Sequence, residues 1–205
     1  QPLMAKYLSR IKAGLEKKDI YSPFLLITSG GGLTTLETAR KFPIRLVESG
    51  PAGGAILASK LSNQLGSKAS LSFDMGGTTA KLCLINAGEP RLSRQFEVDR
   101  SYRFKKGSGL PLKIPVIEML EIGAGGGSIA HVDKISRIKV GPESAGSNPG
   151  PASYNLGGSD PTVTDADLFQ GKMVVENFPF DLSIENAKNA INKHISEKLG
   201  IPDIE

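Results

Sequence analysis

Half of the glycines, twelve of 24, fall in four clusters, and this constrains the chain more than any other feature: Gly30–Gly32, Gly50/Gly53/Gly54, Gly76/Gly77 and Gly123/Gly125–Gly127. Glycine adopts positive φ freely and lets backbone N–H groups approach an anion closely, so glycines gathered at strand ends can cradle phosphate. A single cluster reads as a tight turn. Four clusters at the ends of short apolar runs point to a phosphate ligand.

The runs between the clusters set the fold class. Met4–Lys18 places Met4, Leu8, Ile11 and Leu15 at helical spacing opposite a charged face. Phe24–Thr28 reads as a buried strand entering the first glycine turn. Thr34–Phe42 reads as a short helix ended by Pro43, and Ile44–Val47 as another strand. Glu48-Ser49-Gly50-Pro51-Ala52-Gly53-Gly54 turns the chain into an Ala/Leu-rich helix over 55–65. Ala69–Phe73 and Lys81–Ile85 flank Asp74-Met75-Gly76-Gly77-Thr78-Thr79 as a hairpin. This alternation predicts an α/β architecture. Residues 91–140 turn β-like, with runs at Gln95–Val98, Leu112–Val116 and Ile135–Val140. Gly141–Pro161 reads as a long functional or packed loop, and Leu182–Leu199 returns to helical spacing.

Composition narrows the function classes. The net charge of +4 comes from 25 basic and 21 acidic residues. Its excess lies partly in 12–18 and 100–106 with no aromatic-basic stripe, which predicts a solvated surface and no nucleic-acid partner. No apolar run approaches the roughly 20 residues of a membrane helix, so no membrane partner is expected. The single cysteine, Cys83, excludes an internal disulfide and fits a reducing, cytoplasmic setting; it alternates with Leu82 and Leu84 and reads as core. Two isolated histidines, His131 and His194, argue against a His-rich metal site. The chain begins at Gln1 without a signal segment, and both ends read as boundaries inside a longer polypeptide.

Among the nucleotide fingerprints, the Walker loop is absent. Gly123-Ala124-Gly125-Gly126-Gly127-Ser128 misses the last glycine of the dinucleotide motif and lacks its βαβ setting. Asp74-x-Gly76-Gly77-Thr78-Thr79 is stronger. A carboxylate at a strand end can hold hydrated Mg²⁺ or orient water, the glycines admit phosphate to the backbone, and the threonine hydroxyls can donate to it. The alternative is an Asp-capped hairpin turn. Glu48 reads as an acid favoured by a helix dipole. The Asp165/Asp167 pair suits a metal or, at least as well, a helix N-terminus. Glu143-Ser144 lacks the base a nucleophilic serine needs.

The order of Glu48–Ala55, its helix and the Asp74 hairpin resembles that in actin, the seventy-kilodalton heat-shock chaperones and sugar kinases. The resemblance implies an RNase H-like ATPase lobe with a β-rich insertion. A fuller succession carries a closer resemblance: Ser29-Gly30-Gly31-Gly32-Leu33, Ser49–Gly54, Phe73–Thr78, Ile122–Ala130, Val140–Gly146, Asn148–Ala152 and Pro161–Ala166. Over 24–171 the chain is similar to the hydantoinase A/oxoprolinase family. One such domain over 1–205 is then expected, with a leading helix in 1–22 and an α/β core carrying the second phosphate hairpin in 23–90. A β-rich and Gly/Pro loop region over 91–171 and a helical region over 172–205 complete it.

The resemblance implies ATP-dependent opening of a cyclic amide such as 5-oxoproline or a hydantoin. Phosphorylation of the amide oxygen converts it to a leaving group, and the protein's part is positioning and charge neutralisation. Asp74 and Glu48 are the implied catalytic residues, with Asp74 also the Mg²⁺ ligand. Gly76, Gly77, Thr78, Thr79 and, as an adenosine-facing loop, Gly125, Gly126 and Gly127 are the implied ATP contacts. The first phosphate motif of the superfamily is not in this sequence. The resemblance therefore implies a second lobe, with a missing N-terminal lobe and a hydantoinase B-type subunit or domain as partners, and weak nucleotide binding by the chain alone. Lys81 stands where members often carry an acid, and Ser153 where cysteine is common. A ketone carboxylase subunit and a non-catalytic scaffold that keeps the ATPase fold are the alternatives.

Overall fold

The structure, a computed structural model, describes residues 2–98 and 107–204. The basic run at 100–106 lies outside them. Two compact units result, one from residues 1–74 and 82–120, the other from 75–81 and 121–205.

In the first unit, helix α1 (Pro2–Glu16) buries Leu8 against Leu36 and Ala39 of α2 (Leu36–Lys41), with Phe24, Leu26 and Leu46 around them. Thr35 caps α2 by accepting from the Thr38 N–H. Strands β1 (Leu25–Ile27) and β2 (Leu33–Thr35) form an antiparallel hairpin around the first glycine cluster, in register Leu26 to Thr34. The strand expected at Ile44–Val47 is instead a single 3₁₀ turn, Pro43–Leu46. Pro43 presets its first φ, and the buried Ser29 hydroxyl, 2.8 Å from Arg45 O and also bonded to Val47 O, ties up carbonyls that a strand would have paired.

Helix α3 (Ser49–Gln64) begins six residues earlier than the spacing suggested. Pro51 sits in its first turn, where a missing N–H costs nothing, so Gly50-Pro51 opens the helix rather than delaying it. Its buried face is Ala52, Ala55, Ser59 and Ser62. Such small side chains let it approach Cys83, Ile85 and Ile117 closely, forming the core of this unit. Strands β3 (Ala69–Met75) and β4 (Ala80–Asn86) are sheet neighbours, joined by a four-residue turn. β5 (Glu89–Pro90) pairs with β4 through Ala87 and Gly88, both at positive φ. Ser59 Oγ and Asn63 Nδ2 both donate to Gly88 O, and Asn63 packs so closely that any side chain at Gly88 would collide with it. Short pairs β6 (Leu92–Ser93) with β9 (Val116–Ile117), and β7 (Phe96–Val98) with β8 (Leu110–Leu112), finish the unit. The expected single run at Leu112–Val116 is thus two strands, split around Pro115.

β10 (Leu120–Ile122) leads into the second unit. Its strands β11 (Ser128–Val132) and β12 (Ile138–Ser144) form a hairpin closed by Asp133, whose carboxylate accepts from Ile135 N, Arg137 N and Arg137 Nε. β12 runs four residues into the segment read as loop. A 3₁₀ turn, Ala152–Tyr154, and α4 (Val163–Phe169) follow. The terminal helical spacing resolves into α5 (Ile184–Ile191), a π-helical turn (Asn192–Ser196) and α6 (Glu197–Leu199). No helix among the described residues is long and apolar enough to cross a membrane.

Candidate functional site

The turn of the β3–β4 hairpin is closed by one bond, Gly76 N–H to Thr79 O at 2.9 Å. Its two glycine carbonyls are bonded within the second unit, to which residues 75–81 belong. Gly76 O accepts from Gly126 N–H at 2.9 Å, and Gly77 O from Gly127 N–H at 2.7 Å. The approach needs glycine on the other side. A Cβ on Gly125 would stand 2.6 Å from both Gly76 O and Thr78 N. In a trans peptide the C=O and N–H point opposite ways. Tying down the carbonyls of Gly76 and Gly77 therefore turns the N–H groups of Gly77 and Thr78 outward. Both residues are exposed, and neither N–H donates to any group among the described residues. Two adjacent outward donors are the backbone geometry an anion takes.

The structure thus brings two of the expected groups together, Gly76–Thr78 and Gly125–Gly127, in one backbone network. The amides of Gly126 and Gly127 are spent on the turn, so these glycines shape it, and the free donors are on the hairpin side.

Asp74 is exposed, two residues before the turn, at the end of β3. Glu48 is the residue before α3, half-buried, with φ 60° and ψ 20°, a left-handed conformation that a non-glycine residue seldom holds. Its side chain does not cap the helix. Only Leu65–Lys68 separate α3 from β3, and a 2.9 Å hydroxyl bond joins Ser62 to Ser70 across that connection. Of the two threonines, Thr78 is exposed and Thr79 is half-buried with its carbonyl in the turn.

Asp165 is fully buried and its carboxylate accepts four bonds: Ser153 N at 2.7 Å, Thr162 N and Thr162 Oγ1 at 2.8 Å, and Ala152 N at 3.3 Å. With Thr162 it forms a capping box at the start of α4. The helix-terminus alternative holds for it, and no group of three or more potential ligands gathers among the described residues. Ser153 Oγ is buried without a hydrogen-bond partner there. Cys83 is buried, and burial raises its thiol above the ordinary range, with Glu118 adding to the shift. It is a core residue rather than a nucleophile.

Sequence reasoning missed Thr164. Its N–H and hydroxyl both donate to Gly126 O, at 2.8 and 2.9 Å. The available signal was Thr162-x-x-Asp165, which marks a helix start and puts Thr164 in the first turn.

The hydantoinase/oxoprolinase family model matches residues 1–204. The chain belongs to this family. It is 35% identical over 203 residues to the caprolactamase alpha subunit of Pseudomonas jessenii, covering 98% of this chain and 28% of that one. The crystal structure of that ATP-dependent caprolactamase superposes with a TM-score of 0.68. The 5-oxoprolinase of Saccharomyces cerevisiae is 36% identical over 180 residues, covering 87% of this chain and 13% of that one. A nucleotide-free acetone carboxylase structure, from work on ATP-dependent acetone carboxylation, superposes with a TM-score of 0.73 at 28% identity, covering 96% and 27%. The chain therefore spans less than a third of the length of these relatives, which include subunits of larger enzymes.

Proposed function

We propose that this member of the family supplies part of an ATP site for ring opening of a cyclic amide, in an RNase H-like ATPase lobe of the actin type. The observation that carries the reading is the pair of outward N–H donors at Gly77 and Thr78, beside an acid on the strand that leads into them. On this reading the two amides hold phosphate oxygens, and the Thr78 and Thr79 hydroxyls add donors. Asp74 orients water or a hydrated cation, with Glu48 assisting. Mg²⁺ keeps several waters and takes one or two carboxylates alongside phosphate oxygens, so one exposed aspartate and one half-buried glutamate fit it without a dedicated cage. When bound it would supply charge neutralisation; the chain's residues supply orientation.

The remainder of the site, the amide-binding surface and a B-type partner would come from outside this chain, since the relatives are more than three times as long. The deciding experiment is ATP hydrolysis by the full-length protein with its partner, against 5-oxoproline, hydantoin, caprolactam, and acetone with bicarbonate. Stimulation by one cyclic amide, lost in Asp74→Asn, is expected. Stimulation by the ketone alone favours the second reading, an ATP-dependent ketone carboxylase subunit, which the acetone carboxylase superposition keeps in play. No turnover with any of the four, by folded protein with Mg²⁺, leaves a scaffold.

A further inference from the structure

We propose that Thr164 is a positioning residue for the phosphate-facing turn, acting through the peptide between Gly126 and Gly127; this rests on reading Gly76–Thr79 as the ATP turn. The argument follows the peptide groups. Thr164 places two donors, its N–H at 2.8 Å and its Oγ1 at 2.9 Å, on the Gly126 carbonyl. That carbonyl shares a peptide group with Gly127 N–H, which donates to Gly77 O at 2.7 Å. Gly77 O in turn shares a peptide group with Thr78 N–H, one of the two outward donors. Hydroxyl, peptide and peptide thus form one aligned chain that ends on the phosphate-facing hydrogen. Successive bonds in such a chain polarise one another, strengthening each by roughly 10–30%.

The chain is anchored where it begins. Thr164 lies in the first turn of α4, and the next residue is the buried Asp165, whose carboxylate takes its bonds from Thr162, Ser153 and Ala152. Sliding α4 would strip that carboxylate of partners, so the helix start is a fixed point from which the turn is set. The contact on the far side is equally close: a Cβ on Gly126 would come 2.8 Å from Thr164 Oγ1. A hydroxyl reaching Gly126 from 38 residues away is not needed to cap α4, because Thr162 does that.

Thr164→Val keeps the shape and the backbone bond but removes the hydroxyl; Thr164→Ser keeps the hydroxyl. In the full-length protein, titration with a non-hydrolysable ATP analogue and Mg²⁺ is expected to show about tenfold weaker binding for Thr164→Val, the worth of one net hydrogen bond, and near wild-type binding for Thr164→Ser. Without nucleotide, amide exchange at Gly127 is expected to quicken in Thr164→Val alone, while the melting temperatures of both variants stay close to wild type. Should Thr164→Val not fold, Thr164→Ala takes its place. Wild-type affinity and exchange in the hydroxyl-less variant would overturn the positioning role while leaving the ATP reading intact. A wild-type protein that binds no analogue overturns both.

Discussion

Asp165 shows how much one side chain can carry at the residue scale. Removing its carboxylate strands the N–H groups of Ser153, Thr162 and Ala152 in a buried setting, and each stranded donor costs about 1–3 kcal/mol. Asp165→Ala is therefore expected to destabilise the second unit by about 3 kcal/mol or more, read by urea denaturation. Asp74 makes the opposite case. It is exposed, so Asp74→Asn should leave the melting temperature unchanged and, on the proposed function, lower ATP turnover about 100-fold. Cys83, buried with a raised thiol, is expected to react with a thiol reagent at pH 8 only as fast as the protein unfolds. Fast stoichiometric labelling of native protein would contradict its place in the core.

At the scale of elements, the hairpin turn and the glycine loop behave as one piece of backbone. Gly125→Ala puts a Cβ 2.6 Å from Gly76 O and Thr78 N, where no side chain can yield, so the turn must move. The expected outcome is loss of ATP-analogue binding by the full-length protein with β-sheet content retained by circular dichroism. The β11–β12 hairpin depends on Asp133, whose carboxyl is held below its ordinary value by Arg137 N–H first, then by Ile135 N–H, the Arg137 side chain and Lys139. A depressed folded-state value means its contribution is present above the unfolded value near 3.8 and is lost as pH falls through the folded one. Thermal stability should therefore drop on acidification below about pH 4 less in Asp133→Asn than in wild type. The strand expected at Ile44–Val47 failed at this scale. Its apolar spacing suits a strand, but its carbonyls are taken by Ser29, sixteen to eighteen residues away, which no local pattern reports.

On the scale of the whole molecule, the chain forms two compact units, and the hairpin lends its strands to one and its turn to the other. The proposed ATP site takes its backbone amides from that turn, with further contacts from chain that the longer relatives carry. The full-length protein should thus bind the ATP analogue more tightly than residues 1–205 alone by about tenfold or more, measured by parallel titrations. Equal affinity would mean that these 205 residues hold the whole nucleotide site.

Much of this was legible in the sequence because it rests on local chemistry. Alternating apolar runs, glycine clusters at strand ends, the Asp74 turn and the helix start at Asp165/Asp167 each depend on backbone preferences of nearby residues, and the succession of motifs identified the family. What only the tertiary structure decided is where the backbone hydrogen bonds go. The glycine loop at 125–127 suited a nucleotide contact as a sequence, since glycine permits close approach of any partner. The partner it meets is the hairpin turn fifty residues earlier, where the Gly126 and Gly127 amides are used. Glycine specifies that an approach is possible; the fold specifies by what. For the same reason Thr164 is the start of a hydrogen-bond chain ending at the Thr78 amide, because directional bonds between distant segments are a property of packing rather than of spacing.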